Sequence, residues 1–264
     1  MPFAPARVLA AILAFAATFP AAAHDVWITT AGQGAALRAV VNFGHPDERE
    51  APDPDKLIQL DVRAGAAPPR SLLGDLSPGF EQGYPVLLSQ PLGLAPGLAV
   101  IAAVYDNGYW VKTPGGYRNT SRRLQPAAAE SLWSVKFGKT LVETGPAHGD
   151  GYRRAIGQPL ELVPLDDPFA LKPGGMLHVR VDYNGSPLPG AKVDISDGIT
   201  PVHEDKLPVF TADARGVAAV SIVKDGPQVL SVDHAVPSAQ PDLAQNDVYS
   251  ASLAFVLKPA ARDR

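Results

Sequence analysis

Beyond residue 23 the chain carries almost no helical periodicity. Apolar and polar residues instead alternate over short windows, as in Leu37-Arg38-Ala39-Val40-Val41 and Leu57-Ile58-Gln59-Leu60-Asp61-Val62, the two-residue period of a half-buried strand. Turn-forming pairs and triplets interrupt these windows: Pro52-Asp53-Pro54, Pro68-Pro69, Ser77-Pro78-Gly79, Pro96-Gly97, Asp106-Asn107-Gly108 and Pro114-Gly115-Gly116. The 264 residues include 24 Gly and 27 Pro, yet 46% are hydrophobic. That is enough apolar material for a core, so the turn excess signals many short strands and not disorder. The pattern predicts an all-β chain built as two β-sandwich domains. The absence of Cys excludes a disulfide scaffold.

The first 23 residues have a different character. Arg7 is the only charged residue before Asp25, and it precedes an apolar run from Val8 to Phe19 that ends in Pro20 and Ala21-Ala22-Ala23. These are the marks of a signal peptide over 1–23 with a small-residue cleavage site. The run is too short to cross a bilayer, and no later stretch of that length lacks charges, so no membrane span is expected after cleavage. The mature chain would begin at His24, and its Ala-rich leader suggests a periplasmic location. A net charge of −4, with no run of like charges, gives no footprint for a nucleic acid.

Two rhythms divide the mature chain. Residues 24–165 are expected to form an N-terminal sandwich in which Asp106-Asn107-Gly108 turns a hairpin and Gln125 to Lys139 makes a helical turn running into a strand. From Met176 to Tyr183 alternation is clean, with Leu177, Val179, Val181 and Tyr183 facing inward. Asn184-Gly185 is a strong hairpin signal. A Thr211-Ala212-Asp213-Ala214-Arg215-Gly216 turn leads into Val217 to Val223, and Asp225-Gly226 leads into Val229 to Val232. This order predicts an immunoglobulin-like or transthyretin-like domain over 166–258, with a last strand from Val248 to Leu257 and a polar tail at 259–264.

Without thiols, a transition-metal site must use imidazole, carboxylate or amine. His24 is the distinctive candidate, because cleavage before it would free an α-amine that can chelate together with its own ring. A second imidazole would complete a three-nitrogen brace suited to copper(II) and open to nickel(II). The other N-terminal metal motif needs His at mature position three, and Trp27 is mature position four. A strand starting Val26-Trp27-Ile28 would anchor an end that ordinarily frays. His45 follows a strand and has Asp47 and Glu48 beside it to orient a ring. His234 closes another strand next to Asp233. His148, His178 and His203 lie in a loop, on a polar strand face and in an acidic loop, where solvation accounts for them. Tyr105 to Arg118 holds the densest aromatic run, able to stack a sugar or serve a protein ligand. No G-x-S-x-G, phosphate loop, H-E-x-x-H or G-x-G-x-x-G motif is present, so no enzymatic activity is expected.

The His24-Asp25-Val26-Trp27 start, Gly44-His45, Tyr109-Trp110-Val111-Lys112-Thr113, Pro187 to Val193 and Thr211 to Gly216 together resemble a family of exported bacterial proteins of unknown function, labelled NikM-like. Its members are described as periplasmic components of nickel or cobalt uptake. The resemblance implies that His24 and His45 are the metal ligands. The family usually places a small or aromatic residue between its G-H and Pro, whereas here Pro46 follows His45 directly. The resulting expectation is a non-catalytic periplasmic protein that binds nickel, cobalt or copper through His24, His45 and His234. It would serve an inner-membrane or TonB-dependent metal transporter. The alternative is a β-sandwich module binding a sugar or protein.

Overall fold

The computed structural model describes residues 24–145 and 149–259; the expected signal peptide, His148 and nearly all of the expected tail lie outside them. Eighteen strands and five three-residue 3-10 turns make up the regular structure of the described residues. The chain is all-β.

The strands form three sheets. An outer sheet is made of β1 (Asp25–Ala31), β2 (Arg38–Gly44), β3 (Arg49–Glu50), β6 (Ser77–Glu81) and β7 (Tyr84–Leu88). The central sheet takes β4 (Leu57–Ala64), β5 (Arg70–Ser71), β8 (Leu98–Thr113), β9 (Gly116–Asn119) and β10 (Glu130–Glu143) from the first half. From the second half it takes β14 (Lys192–Ser196), β15 (Val209–Thr211), β17 (Gly226–Pro237) and β18 (Asn246–Leu257). The third sheet holds β11 (Leu160–Pro164), β12 (Gly175–Tyr183), β13 (Ser186–Pro187) and β16 (Val217–Ile222). The halves meet where β10 and β18 pair in parallel, Lys136 opposite Ser250 and Thr140 opposite Ala254. The expected boundary at residue 165 falls just after β11, and the strand pairing runs across it.

Along its middle strands β8, β10 and β18 both faces of the central sheet are covered, which makes this two sandwiches with one sheet in common. On β8, Ala99, Ile101, Ala103 and Tyr105 join Val26, Ile28, Val41 and Phe43 in a core under the outer sheet. The alternate residues Leu98, Val100 and Val104 pack on a second core with Leu162, Leu177, Val181, Leu230 and Phe255. On β10, Val135, Phe137 and Leu141 face this second core, and Val142 faces the first.

The outer sheet ends in edge strand β1, which lies across β10 and β18. Its unpaired carbonyls are capped by hydroxyls from the central sheet: Thr140 donates to the Ile28 carbonyl at 2.5 Å and Ser252 to that of Val26 at 2.7 Å. Gly138 permits this close approach, since a Cβ there would stand 3.1 Å from Ile28 Cγ1. Trp27 is pinned between Val229 and Ala254. The N-terminal strand is thus tied down along its length.

Several local expectations change. Asp106-Asn107-Gly108 does not turn a hairpin: β8 runs through it, and the pairing with β10 shifts register there instead. Asn107 is drawn inward to accept from Lys56 Nζ at 3.1 Å, and the hairpin turn comes later, between Thr113 and Gly116. Within Gln125–Lys139 the expected strand forms, as β10 from Glu130, but what precedes it is an isolated turn, Ala128 N donating to the Gln125 carbonyl at 3.0 Å, and no helix. The Asn184-Gly185 hairpin forms as expected between β12 and β13, with φ of 49° and 75° at the two positions.

Candidate metal centre

The site begins with the first antiparallel pair of the outer sheet. Asp25 pairs with Gly44, so His24 and His45 stand just beyond the ladder at adjacent strand ends. Gly44 has φ +119°, and a Cβ there would meet the Glu48 carbonyl at 2.4 Å. Only glycine allows the chain to fold straight back, closing a turn in which His45 N donates to the Glu48 carbonyl at 2.9 Å. That turn aims the His45 ring at His24. The two ring centroids are 4.8 Å apart. Beneath them Phe43 lies 5.2 Å from the His24 ring and 5.0 Å from that of Tyr105.

Carboxylates surround the pair. Glu50 Oε1 is 3.7 Å from His24 Nε2. Glu204, from the 3-10 turn Glu204–Lys206, reaches over from the second half and contacts His45 Nδ1. Burial lowers the pKa of His24, and the neighbouring His45 lowers it further. Burial also acts to lower that of His45, but the hydrogen bond and charge of Glu204 outweigh it and raise the ring above its ordinary value. The His24 ring is therefore disposed to be a neutral nitrogen donor, and the His45 ring is oriented through Nδ1 with Nε2 left for another partner.

The segment carrying Glu204 is itself clamped on β1. Arg49 lies between the rings of Trp27 and Tyr84, 5.2 and 4.2 Å from their centroids, and donates to the Gly198 carbonyl. Asp197 anchors the start of the segment by accepting from Ile199 N, Thr200 N and Lys224 Nζ at 2.8, 2.7 and 2.5 Å.

Behind the histidines, register across the central sheet aligns a second set of polar groups. Tyr105, Lys136, Ser250 and Asp233 sit side by side on β8, β10, β18 and β17. Ser134 and Asp194 share that face by strand alternation. Lys136 is 0% exposed and its Nζ has no hydrogen-bond partner. Burial lowers its pKa, against the opposing pull of Asp25, Asp233 and Glu204. Burial and Asp233 push the Asp25 carboxyl up to about 7, and Asp194 and Asp233 are raised for the same first reason.

The structure brings His24 and His45 together and places His234 elsewhere. His234 shares the lower face of β17 with Val232, its ring 4.5 Å from that of Tyr183, while its neighbour Asp233 points to the other side. His178 and His203 are exposed and pair with Asp166 and Asp205 at 2.7 and 2.8 Å. In the aromatic run, Tyr105 is buried under the histidines and Trp110 Nε1 donates to the Asn107 carbonyl at 2.9 Å. Among the described residues no three His, Asp or Glu side chains converge as a metal-holding group. The sequence reasoning did not single out Lys136, Asp25, Asp194 or Glu204. The available signal was a lysine inside the apolar run Val135-Lys136-Phe137.

The chain belongs to the family described as Domain of unknown function (DUF4198), which it matches over residues 21–236. No curated protein matches it. Among solved structures it is similar to the D0-D1 domain of Intimin, at 12% identity over 88% of this chain and 97% of that one, with a TM-score of 0.22. It is also similar to titin Ig tandem domains A164-A165, at 10% identity over 90% and 98% of the two chains, with a TM-score of 0.19. Among the described residues no helix is long and apolar enough to cross a membrane.

Proposed function

We propose that the mature chain is a non-catalytic periplasmic protein that binds a divalent transition metal, nickel, cobalt or copper, on His24 and His45 and serves metal uptake. The observation that carries this reading is the pairing of the two rings, with centroids 4.8 Å apart, at a chain end held in place by Trp27 and by the hydroxyls of Thr140 and Ser252. Two imidazoles alone make a weak site. The α-amine freed by cleavage before His24 would supply the third nitrogen. Glu204 would hold the His45 ring from behind, as carboxylates do for metal-bound imidazoles.

The test is calorimetric titration of Cu(II), Ni(II) and Co(II) into the chain starting at His24, beside a chain with one extra Ala ahead of it. Sub-micromolar binding that the added Ala weakens by roughly 10²-fold or more is expected, since the chelate is lost. Binding by neither chain, or equal binding by both, would overturn the assignment. His24→Ala and His45→Ala should each remove the tight site while the circular dichroism spectrum of the folded protein persists.

A further inference from the structure

On the side away from β1 the outer sheet ends in β6, which pairs with β7 and, among the described residues, with no further strand. Gln82-Gly83 joins the two strands with φ of 53° and 85°, a two-residue turn that makes Glu81 and Tyr84 a hydrogen-bonded pair. Bonded and unbonded pairs then alternate along the ladder, so Phe80 opposite Pro85 and Pro78 opposite Leu87 are unbonded. The two prolines agree with this register, since neither has an N–H to give. The Phe80 N–H and the carbonyls of Pro78 and Phe80 therefore point out of the open edge.

Beside that edge runs an apolar groove of about 370 Å³, lined by Pro78, Phe80, Pro85 and Leu87 of the outer sheet and by Pro52 and Pro54 of the segment after β3. Leu87 belongs to the core under the outer sheet, so by alternation Pro85, and Phe80 opposite it, lie on the core-facing side. Phe80 is nevertheless 76% exposed, because the core face continues there uncovered. The far wall is fixed in advance: Asp53 N donates to Tyr105 Oη at 3.1 Å, and Pro54 opens the 3-10 turn Pro54–Lys56. A preformed apolar groove along a strand edge receives an extended peptide, with main chain on the edge and alternate side chains in the groove.

Charge selects the occupant. Glu50, Asp53, Asp55 and Glu81 each adjoin a groove residue in the chain, and the first three are exposed. The two bases of the same stretch are engaged elsewhere. Arg49 lies between the rings of Trp27 and Tyr84, and Lys56 donates to Asn107 Oδ1 at 3.1 Å beneath the Trp110 ring. The groove thus has an apolar floor and a negative rim. A second copy of this chain would bring the same acids against it, whereas a segment alternating Lys or Arg with apolar residues complements it.

We propose that β6 and its groove dock an extended basic segment of a partner protein, added as a strand with its apolar residues against Phe80 and its basic residues on the acidic rim. The docking needs no metal, and none is present in its test.

Labelled seven-residue peptides with blocked ends are titrated with the chain starting at His24, and fluorescence anisotropy reads binding. The probe peptide alternates Lys and Val. Its controls replace every Lys by Glu, replace every Val by Ser, or methylate the backbone nitrogens of the valines. The Lys-Val peptide should bind roughly tenfold or more tighter than the Glu and Ser controls and about threefold tighter than the methylated one. Phe80→Ser should weaken it roughly tenfold with the circular dichroism spectrum unchanged. Binding of no peptide, equal binding of the Glu or Ser control, or wild-type affinity in Phe80→Ser would overturn the docking. So would a chain that sediments by itself as a dimer and becomes a monomer in Phe80→Ser, since a second copy would then cover the groove. Should Phe80→Ser fail to fold, Asp55→Lys decides, with a loss of about threefold expected at low salt and no loss overturning the proposal.

Discussion

Lys136 and Lys139 lie three residues apart on β10, are 0% and 1% exposed, and have opposite circumstances. Odd spacing turns them to opposite faces of the central sheet. Below, Lys139 Nζ meets Glu161 Oε1 at 2.7 Å, and the carboxylate also accepts from Ile156 N and Gly157 N at 2.8 and 3.0 Å. This is a closed unit with its donors and acceptors matched. Above, Lys136 has carboxylates around it and a hydrogen bond to none. Equal burial thus hides a difference in pairing: one lysine is matched to a carboxylate by hydrogen bonds, and the other is not. The largest predicted effect follows. Lys139→Met should lower the unfolding free energy by about 3–5 kcal/mol by stranding Glu161, whereas Lys136→Met should stay within about 1 kcal/mol of wild type, since it removes an unpaired charge and keeps the volume. Urea denaturation at neutral pH measures both, and equal losses would erase the distinction.

The upper face differs from the lower in a second respect, its dependence on a segment from the other half. Gly198 has φ +65°, and a Cβ there would stand 2.7 Å from Val229 Cγ2 and 3.0 Å from Trp27 Nε1. Gly198→Ala should cost about 2 kcal/mol, from backbone strain and displaced packing. It should also lift Glu204 from His45 and loosen metal binding, which Lys139→Met should not do in the protein that remains folded. Thermal melts with and without Ni(II) separate the two effects: the metal-induced rise in Tm shrinks in Gly198→Ala and persists in Lys139→Met.

Sequence made the strands and the two histidines legible because both depend on neighbours close in the chain. Alternation within Met176 to Tyr183, the Asn184-Gly185 turn and the position of His24 ahead of Val26-Trp27 are local patterns. Gly44 before His45 is local too, and its φ of +119° explains why that glycine precedes that histidine. The polar row behind the histidines was not legible, because it is a product of register. Lys136, Ser250 and Asp233 are adjacent only after β10 pairs with β18 and β18 with β17, over sequence separations that no window spans. Glu204 reads as one acid in a solvated acidic loop until Asp197 and Arg49 fix the segment over β1. The misplaced turn at Asp106-Gly108 has a related cause: the triplet has turn chemistry, but flanking strand on both sides absorbs it as a register shift. A lysine amid residues buried on alternate faces was the one clue, visible only once β10 is known to be covered on both sides.

The smallest effect sharpens the comparison of the lysines by adding a third, Lys224, which is 53% exposed while its partner Asp197 is 9% exposed. Here the carboxylate is the group the fold needs, and the lysine is dispensable. Burial acts to raise the Asp197 carboxyl, but hydrogen bonds from Lys224, Thr200 and Ile199 outweigh it and hold the carboxyl well below its ordinary value of 3.8. A carboxyl depressed in the folded state adds stability that is present above its unfolded pKa and is lost as pH falls through the folded value. Asp197→Asn should therefore cost about 1–2 kcal/mol at pH 7, and the gap from wild type should close as pH drops below 3.8. Lys224→Met should cost about 0.5 kcal/mol, because the backbone donors remain and the lost charge is largely in solvent. Unfolding midpoints measured from pH 7 down to acid would show whether the carboxylate carries the segment, and a Lys224 variant as damaging as the Asp197 one would make this pair another Lys139–Glu161.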